Sequence, residues 1–281
     1  MWAKGSKSVT RAVAFAATTF CAPLAVATLC APLAATAQTG GSDLFQVPAG
    51  CTAFLTVQSR GCTVSHHWTC EADPAGTHWR VSVDQDGPFH LSYTDAEFRW
   101  LQSWDLNGGG TSRLIEPEED PASLSELLTT GSDTMVFSLR SESNLGSFQR
   151  DYTGFDRLTG DEVTVDGRVL AVTEFSYQYT VDGGSRRVQG NQFVHEGWRM
   201  FFGGIETVTE ATGDSFEYDN SPMEFAEPGE RGFLTMQPIY DCGDMMSGLP
   251  RAPIALTDQI FRVLADGTAP GPNGGTDHDD L

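Results

Sequence analysis

The chain has 281 residues, of which 17 are basic and 38 acidic, giving a formal net charge of −21 at pH 7. Its lysines, Lys4 and Lys7, both lie near the start, so lysine-dependent chemistry is excluded from the rest of the chain. Nucleic acid and anionic membrane surfaces are also disfavoured as partners, because both attract basic patches. Solubility explains the acidic excess more simply than binding to a particular partner.

Residues 1–37 have the pattern of a secretory signal peptide, with a basic start that ends at Arg11, an Ala-rich apolar middle and Ala35-Thr36-Ala37 as the cleavage signal. We expect cleavage after Ala37 and a periplasmic or secreted mature protein. The alternative is a retained membrane anchor, against which Pro23, Pro32 and the weak hydrophobicity of alanine argue. No later segment is long and apolar enough to span a bilayer.

Four cysteines follow the predicted leader, and an even number in an exported chain predicts two disulfides. Four cysteines allow three pairings. In every pairing Cys242 bonds to a residue of the segment 51–70, so the two ends of the fold are joined. We favour Cys51–Cys70 with Cys62–Cys242, because a two-residue hairpin turn at Arg60-Gly61 places Cys51 opposite Cys70.

The first half of the predicted domain has the pattern of short strands between turn residues. The strands are Thr52–Gln58, Cys62–Cys70, Thr77–Val83 and Phe89–Thr94. The next apolar segment, Glu97–Trp104, is compatible with either a strand or a helical turn.

One helix is predicted after this region. Asp120 is its candidate N-cap, Pro121 occupies the first helical position, and Gly131 is the stop signal. Leucines 124, 127 and 128 lie between them at helical spacing. A second short helix is predicted over Pro253–Ala265 from its apolar set.

Strands resume with Thr134–Arg140 and Gly146–Tyr152, and a turn is predicted at Thr159-Gly160-Asp161. The segment Val163–Val208 then holds Asp-Gly turn signals at 166–167 and 182–183, which are typical of antiparallel hairpins. Over Arg168–Thr180 the alternation puts the more apolar set on one face. A two-residue turn at 182–183 pairs Tyr179 with Arg186, Tyr177 with Val188 and Phe175 with Gly190.

The strand predicted over Trp198–Ile205 is apolar on both faces, and Gly203-Gly204 permits a bend. A strand of this kind is either buried on both sides or has one face lining a cavity. The simpler interpretation of the nearby aromatic residues is a plain core. The functional interpretation is a cavity for an apolar ligand, with arginine at its mouth. The candidate binding residues are Phe175, Tyr177, Tyr179, Arg186, Trp198, Met200 and Phe202.

These patterns predict a mainly β protein, a single antiparallel meander that forms an up-and-down barrel or a curved half-barrel, with one or two short helices. A sandwich is the alternative. The domain covers residues 38–265, and the acidic, Gly/Pro-rich tail over 266–281 is expected to be disordered. The architecture is similar to that of periplasmic carriers of lipid-like molecules, although no sequence motif marks that family.

A group of cysteines and histidines raises the question of a metal site. It comprises Cys62, His66, His67, Cys70, His78 and His90. His66 and His67 are adjacent in a strand and face opposite ways. The next hairpin places His90 opposite Ser82, about 13 Å from His78 at the rise of a strand. We therefore predict no metal site and no cofactor. Asp84-x-Asp86-Gly87 is likewise interpreted as a tight turn.

No catalytic residue is predicted, because the chain has no nucleophile elbow, phosphate loop or dinucleotide fingerprint. The carboxylate pairs Glu118/Glu119 and Glu224/Glu227 lie in Pro-rich, loop-like stretches and are expected to be solvated. We expect an exported, non-catalytic protein that binds an apolar or lipid-like ligand or an envelope partner. The alternatives are a secreted hydrolase with an unrecognised carboxylate or serine site, and a structural or assembly module of the cell envelope.

Overall fold

The structure, a computed structural model, describes residues 44–144, 146–181 and 184–243. The predicted leader, the helix predicted over Pro253–Ala265 and the acidic tail lie outside these ranges. The described residues form one antiparallel sheet and one short helix. The prediction of a mainly β protein built as an antiparallel meander is thereby confirmed.

The elements are numbered here in chain order. They are β1 Cys51–Ser59, β2 Thr63–Cys70, β3 His78–Asp84, β4 Gly87–Thr94, β5 Trp100–Asp105, β6 Thr111–Asp120, α1 Leu124–Thr130, β7 Ser132–Ser143, β8 Gly146–Val165, β9 Arg168–Val181, β10 Gly184–His195, β11 Met200–Phe202, β12 Ile205–Thr209, β13 Ser215–Asp219 and β14 Pro222–Ala226. The segment predicted as either strand or helical turn, Glu97–Trp104, thus contributes the strand β5.

The sheet is open and strongly curled. Its strand order is β13-β12-β10-β9-β8-β7-β6-β5-β4-β3-β2-β1-β14, with β11 also paired to β10. β13 and β14 form the two edges, yet only Asn220 and Ser221 separate them in the chain. Because consecutive Cα atoms are about 3.8 Å apart, the two edges come within about 11 Å of each other at this point. The sheet therefore curves back toward its own first strand without closing.

The hairpin of β9 and β10 has the predicted register. The opposed pairs are Tyr179–Arg186, Tyr177–Val188 and Phe175–Gly190. Gly190 is also required by the next strand, because a Cβ at this position would lie 2.8 Å from the Cα of Glu206 in β12. The Asp-Gly turn and the two-residue alternation were therefore sufficient to set this part of the sheet.

Two predicted boundaries in the second half of the sheet change. The turn predicted at Thr159-Gly160-Asp161 is wrong, because β8 continues through it and the register with β9 shifts between Leu158 and Glu162. These residues form a bulge, which inserts extra residues without ending the strand. The strand predicted over Trp198–Ile205 is instead β11 and β12, interrupted at Gly203-Gly204, where a bend was expected.

The helix α1 begins later than predicted. Its N-cap is Ser123, whose hydroxyl accepts a hydrogen bond from the N–H of Glu126, and its C-cap is Gly131 with φ of 87°. The predicted N-cap, Asp120, belongs to β6 and accepts a hydrogen bond from the hydroxyl of Thr134 at 2.6 Å. Within the described ranges, no helix has the length and apolarity needed to cross a membrane.

The two disulfides are Cys51–Cys70 and Cys62–Cys242, the pairing that we favoured. The turn length assumed for that pairing is wrong, because Ser59 lies opposite Thr63 and the connection therefore has three residues. A register shift after Ala53 in β1 compensates for the extra residue and restores the opposition of the first two cysteines.

The curl brings the beginning of the sheet against its later strands. Leu55 and Val57 of β1 pack in one buried cluster with Leu170 of β9 and Met200 of β11. A second cluster lies on the other face of β2–β5, where Phe45 and the segment after β14 cover it. The third cluster joins the leucines of α1 to β10. The helix is thus anchored beside the face that holds the candidate site.

Candidate functional site

A cavity of about 90 Å³ opens on one face of the sheet, between α1 and strands β5 to β11. Opposed residues of antiparallel strands point to the same face, and we call the face that carries Phe175 and Tyr177 the inner face. The apolar lining residues are Phe98, Trp100, Leu114, Ala122, Leu124, Met135, Phe137, Phe175, Tyr177 and Phe201. The polar lining residues are Glu97, Arg99, Glu118, Ser123, Asp133, Asp156 and Gln192.

Aromatic rings form most of the cavity wall. Trp100 remains 42% exposed and meets Phe137 and Tyr177 edge-on, with ring centroids 6.0 and 6.1 Å away. A second pair, Phe98 and Phe201, has its centroids 5.3 Å apart. Such rings present a large and rigid apolar surface. The exposed ring of Trp100 therefore offers a contact surface to an entering apolar group.

The aromatic surface continues along the inner face beyond the cavity. Tyr152 stacks on Phe137 on one side and on Tyr179 on the other, with centroids 4.9 Å apart in both cases. Arg186 donates a hydrogen bond from Nη1 to the Tyr179 hydroxyl at 3.0 Å and from Nε to Glu210 at 2.7 Å. Burial raises the pKa of Tyr152 to about 12, so its phenol stays neutral. These rings form an uncharged aromatic stripe, and at its end the charge of Arg186 is balanced by Glu210.

Two carboxyl groups face the cavity from opposed positions of β7 and β8. Asp133 lies directly opposite Asp156 and is 5% exposed, and it accepts a hydrogen bond from the N–H of Ser123 at 2.9 Å. Burial raises the pKa of Asp133 to about 6. Burial and the neighbouring Asp133 carboxylate raise the pKa of Asp156 to about 7. Near neutral pH the pair can therefore retain a proton and donate a hydrogen bond into an apolar space.

The carboxylate of Glu97 fastens the start of α1 to the cavity rim. It accepts hydrogen bonds from the hydroxyl of Ser123 at 3.1 Å and from the N–H and hydroxyl of Ser125 at 2.7 Å each. Arg199 lies 3.3 Å from the same carboxylate. Burial acts to raise the pKa of Glu97, but these hydrogen bonds and Arg199 lower it overall. Glu97 is thus an ionised structural group, unlike the aspartate pair.

Glu118 is a second carboxylate at the rim, and its position differs from the sequence prediction. The side chain of Glu118 is 5% exposed and lies 2.8 Å from Arg99, which also pairs with Asp95 at 2.7 Å. Glu118 belongs to β6 and faces the cavity, so the expectation that it is solvated is wrong, whereas its neighbour Glu119 is exposed. The Pro-rich context suggested a loop, but Glu118 lies within β6, where the register with β7 shifts, and its ion pair with Arg99 holds the carboxylate at the cavity.

A wider and more polar depression of about 500 Å³ lies beside β1 and β14. Several of its charged groups are already paired. Arg168 bridges Glu227 at 3.2 Å and Glu230 at 3.1 Å, and the hydroxyl of Tyr240 donates a hydrogen bond to Glu224 at 2.7 Å. We therefore place the candidate site at the smaller, aromatic cavity, where the aspartate pair has no cationic partner among the described residues.

The structure separates the seven candidate residues of the sequence analysis into two groups. Phe175 and Tyr177 line the cavity, and Tyr179 and Arg186 lie next to them on the inner face. The other three, Trp198, Met200 and Phe202, pack in the buried cluster around Leu55 and are not in the cavity lining. Met200 and Phe202 are only 1% and 6% exposed.

Neither the aspartate pair nor Trp100 is among the binding residues predicted from the sequence. One signal was available in β7, where Asp133 shares the two-residue alternation with Met135 and Phe137. A carboxylate on an otherwise apolar strand face is a candidate for a perturbed pKa. Its partner on β8 could be recognised only once the strand register was known.

Two of the histidines are close on the inner face, where the ring centroids of His67 and His78 are 6.0 Å apart. His66 stacks on Phe45 at 4.9 Å, while the adjacent His67 points to the inner face. Among the described residues no group of three or more His, Cys, Asp or Glu side chains could hold a metal ion. No protein-family model, curated protein or solved structure matches this chain.

Proposed function

We propose that this protein is an exported binding protein that takes the end of an apolar or lipid-like ligand into the cavity on its inner face. The observation that carries the proposal is the aromatic wall formed by Trp100, Phe137 and Tyr177 around an open space. A few polar groups within a mainly apolar cavity are typical of small-molecule sites. The predicted leader and the two disulfides are compatible with a location outside the cytoplasm.

The size of the cavity limits what can enter. Its volume of about 90 Å³ is well below the roughly 300–1,000 Å³ of pockets that enclose drug-sized ligands. A ligand can therefore insert only a ring or the end of a chain. The rest can lie against the partly exposed ring of Tyr179, which stacks on the buried Tyr152 next to the cavity wall.

The aspartate pair gives the ligand an orientation. A protonated Asp156 can donate a hydrogen bond to a carbonyl or hydroxyl oxygen, and Gln192 supplies an amide elsewhere in the same lining. Both groups would be costly to leave unpaired against an apolar surface. A ligand with one oxygen near its inserted end should thus bind more tightly than a pure hydrocarbon of the same length.

Filling the cavity tests the proposal. Ala122 lines it and is half-buried, so Ala122→Leu adds three carbon atoms to the lining without removing a contact. Binding can be measured by the fluorescence of N-phenyl-1-naphthylamine and its displacement by a cell-envelope lipid extract. We expect affinity for the probe to fall by about tenfold or more, since each 1.4 kcal/mol is one factor of ten.

The matched control is Ala72→Leu, which adds the same atoms at an exposed turn. It should bind the probe like the wild-type protein. Equal probe binding by wild type and both variants, or no binding by the wild type, would contradict the proposed site.

A second candidate function, a hydrolase, is favoured by the opposition of Asp133 and Asp156. Directly opposed residues lie side by side on one face of the sheet, and two neighbouring carboxyl groups are the catalytic arrangement of most glycosidases. A raised pKa would suit one of them to act as the acid. Turnover on glycoside and ester panels that is lost in both Asp133→Asn and Asp156→Asn would support this candidate, and absence of turnover in the wild type would remove it.

A further inference from the structure

Like Arg150, whose Nη1 donates a hydrogen bond to Ser141 at 2.9 Å, Arg80 of the inner face has a buried Nε without a hydrogen-bond partner. It lies opposite His67 on β2 and opposite Ser92 on β4, so the three side chains are neighbours on one face. The same register continues through serines on β5, β6 and β7, which form a row of hydroxyl groups across the sheet: Ser103, Ser112 and Ser141. Ser92 and Ser141 are 8% and 4% exposed.

Arg80 has no counter-charge in the part of the chain that the structure describes. Six other arginines form ion pairs there, namely Arg60, Arg99, Arg157, Arg168, Arg186 and Arg199. The side chain of Arg80 forms none, and its buried Nε has no hydrogen-bond partner. The adjacent His67 is 2% exposed, and its Nδ1 is also without a partner. A half-buried cation without a counter-charge is unusual in so acidic a chain, because no ion pair offsets the free-energy cost of its desolvation.

The two carboxylates that act on the neighbouring histidines, Asp95 on His78 and Asp105 on His90, are engaged elsewhere. Asp95 binds Arg99 at 2.7 Å, and Asp105 accepts hydrogen bonds from the N–H groups of Asn107 at 3.0 Å and Gly108 at 2.9 Å. They still face the cluster closely enough that Asp95 acts to raise the pKa of His78. Neither carboxylate forms an ion pair with Arg80, so its guanidinium is left without a counter-charge among the described residues.

The histidines of this cluster contribute donors rather than charge. Burial lowers the pKa of His67 well below its usual value, and it lowers those of His78 and His90 to about 4 despite the opposing effect of the nearby carboxylates. At neutral pH each ring is uncharged and offers one N–H. The positive charge of the cluster therefore belongs to Arg80 alone, which suits it to a single anionic group.

We propose that Arg80, His67 and Ser92 bind the anionic oxygen group, a carboxylate or a phosphate monoester, of the same apolar ligand. Arginine is the residue best suited to such groups, because its planar fork donates two parallel hydrogen bonds. The site adjoins the apolar cavity, since the ring of His78, two residues from Arg80, lies 5.4 Å from that of Phe98 in the cavity lining. The inference rests on the proposed function and specifies the ligand as an anionic amphiphile.

The test compares dodecanoate, dodecyl phosphate and the uncharged 1-dodecanol by calorimetric titration of the full protein. Wild type should bind the two anions about tenfold or more tightly than the alcohol. In Arg80→Met the higher affinity for the anions should disappear, while the affinity for the alcohol should stay within about twofold of the wild-type value. Arg80→Lys, which keeps the charge but loses the fork, should retain part of the advantage. The preferred anion identifies the chemical source of the group.

The matched control is Arg187→Met, on an exposed position of β10 with no ion pair among the described residues, which should bind all three ligands like the wild type. Thermal unfolding provides a second readout, because removal of an unpaired cation should leave Arg80→Met at least as stable as the wild type. If dodecanol and the anions bind equally, or if Arg80→Met lowers their affinities equally, the anion site is refuted and the apolar cavity stands. If none of the three binds, both proposals fail.

Discussion

The aspartate pair makes the stability of the protein depend on pH in an unusual direction. Most native carboxylates have a lowered pKa and stabilise the fold as pH rises. Asp156 has a pKa raised from 3.8 to about 7, so the folded protein holds a proton that the unfolded chain releases between these values. Its contribution to the free energy of unfolding must therefore fall as pH rises from about 4 to about 7.

The magnitude follows from the two pKa values. Integrating the proton uptake of one group with pKa 3.8 unfolded and about 7 folded gives a loss of about 2.6 kcal/mol between pH 5 and pH 8. Asp156 is only half-buried, and solvent screening reduces this to about 2 kcal/mol. Asp156→Asn removes the titrating group and leaves an amide of nearly the same shape. Between pH 5 and pH 8, the free energy of unfolding of the variant should therefore fall by about 2 kcal/mol less than that of the wild type.

Urea unfolding followed by circular dichroism at pH 5, 6, 7 and 8 measures this difference. The control is Asp161→Asn, an exposed position on the same strand, which should keep the wild-type dependence on pH. Identical pH dependence in wild type and Asp156→Asn would refute the raised pKa, and with it the proposed hydrogen-bond donor of the cavity. A difference that appears at low salt and disappears at high salt would point to general charge repulsion instead.

Two further predictions concern the sheet. The Cys62–Cys242 disulfide closes a loop of 180 residues, and the Cys51–Cys70 disulfide closes one of 19. In the chain-entropy model, replacing the first pair by alanine should lower the free energy of unfolding by about 5 kcal/mol, and replacing the second by about 3 kcal/mol. Equal losses in urea unfolding would contradict the loop-length argument. Gly190→Ala places a Cβ against the backbone of β12 and should lower the free energy of unfolding by about 1–3 kcal/mol. An unchanged midpoint in urea unfolding would show that β12 can move away without a loss of stability.

Local patterns predicted those parts of the fold that local chemistry controls. The hairpin of β9 and β10 has its expected register because the turn and the alternation lie within one continuous stretch. The N-cap of α1 was misplaced for the opposite reason. Ser123 is held by Glu97, which lies 26 residues earlier in the chain, while Asp120 is held by a strand that follows the helix. Neither contact leaves a signal within the capping sequence itself.

The candidate site was predictable only in part. Phe175 and Tyr177 belonged to the expected apolar face, because strand alternation alone decides which side chains share a face. Trp198, Met200 and Phe202 are equally large and apolar, yet they pack in the core. The bend after β11 and the curl of the sheet decide which side chains they contact. Composition cannot distinguish a cavity wall from a core.

The amino-acid sequence alone determined the antiparallel meander and the strand faces, because turns and two-residue periodicity act over a few neighbouring residues. Only the tertiary structure decided that β14 joins β1, that Asp133 faces Asp156 beneath an aromatic wall, and that Arg80 is left without a counter-charge. These features depend on burial and on distances between remote strands, and burial is what turns an ordinary aspartate into a proton-holding acid.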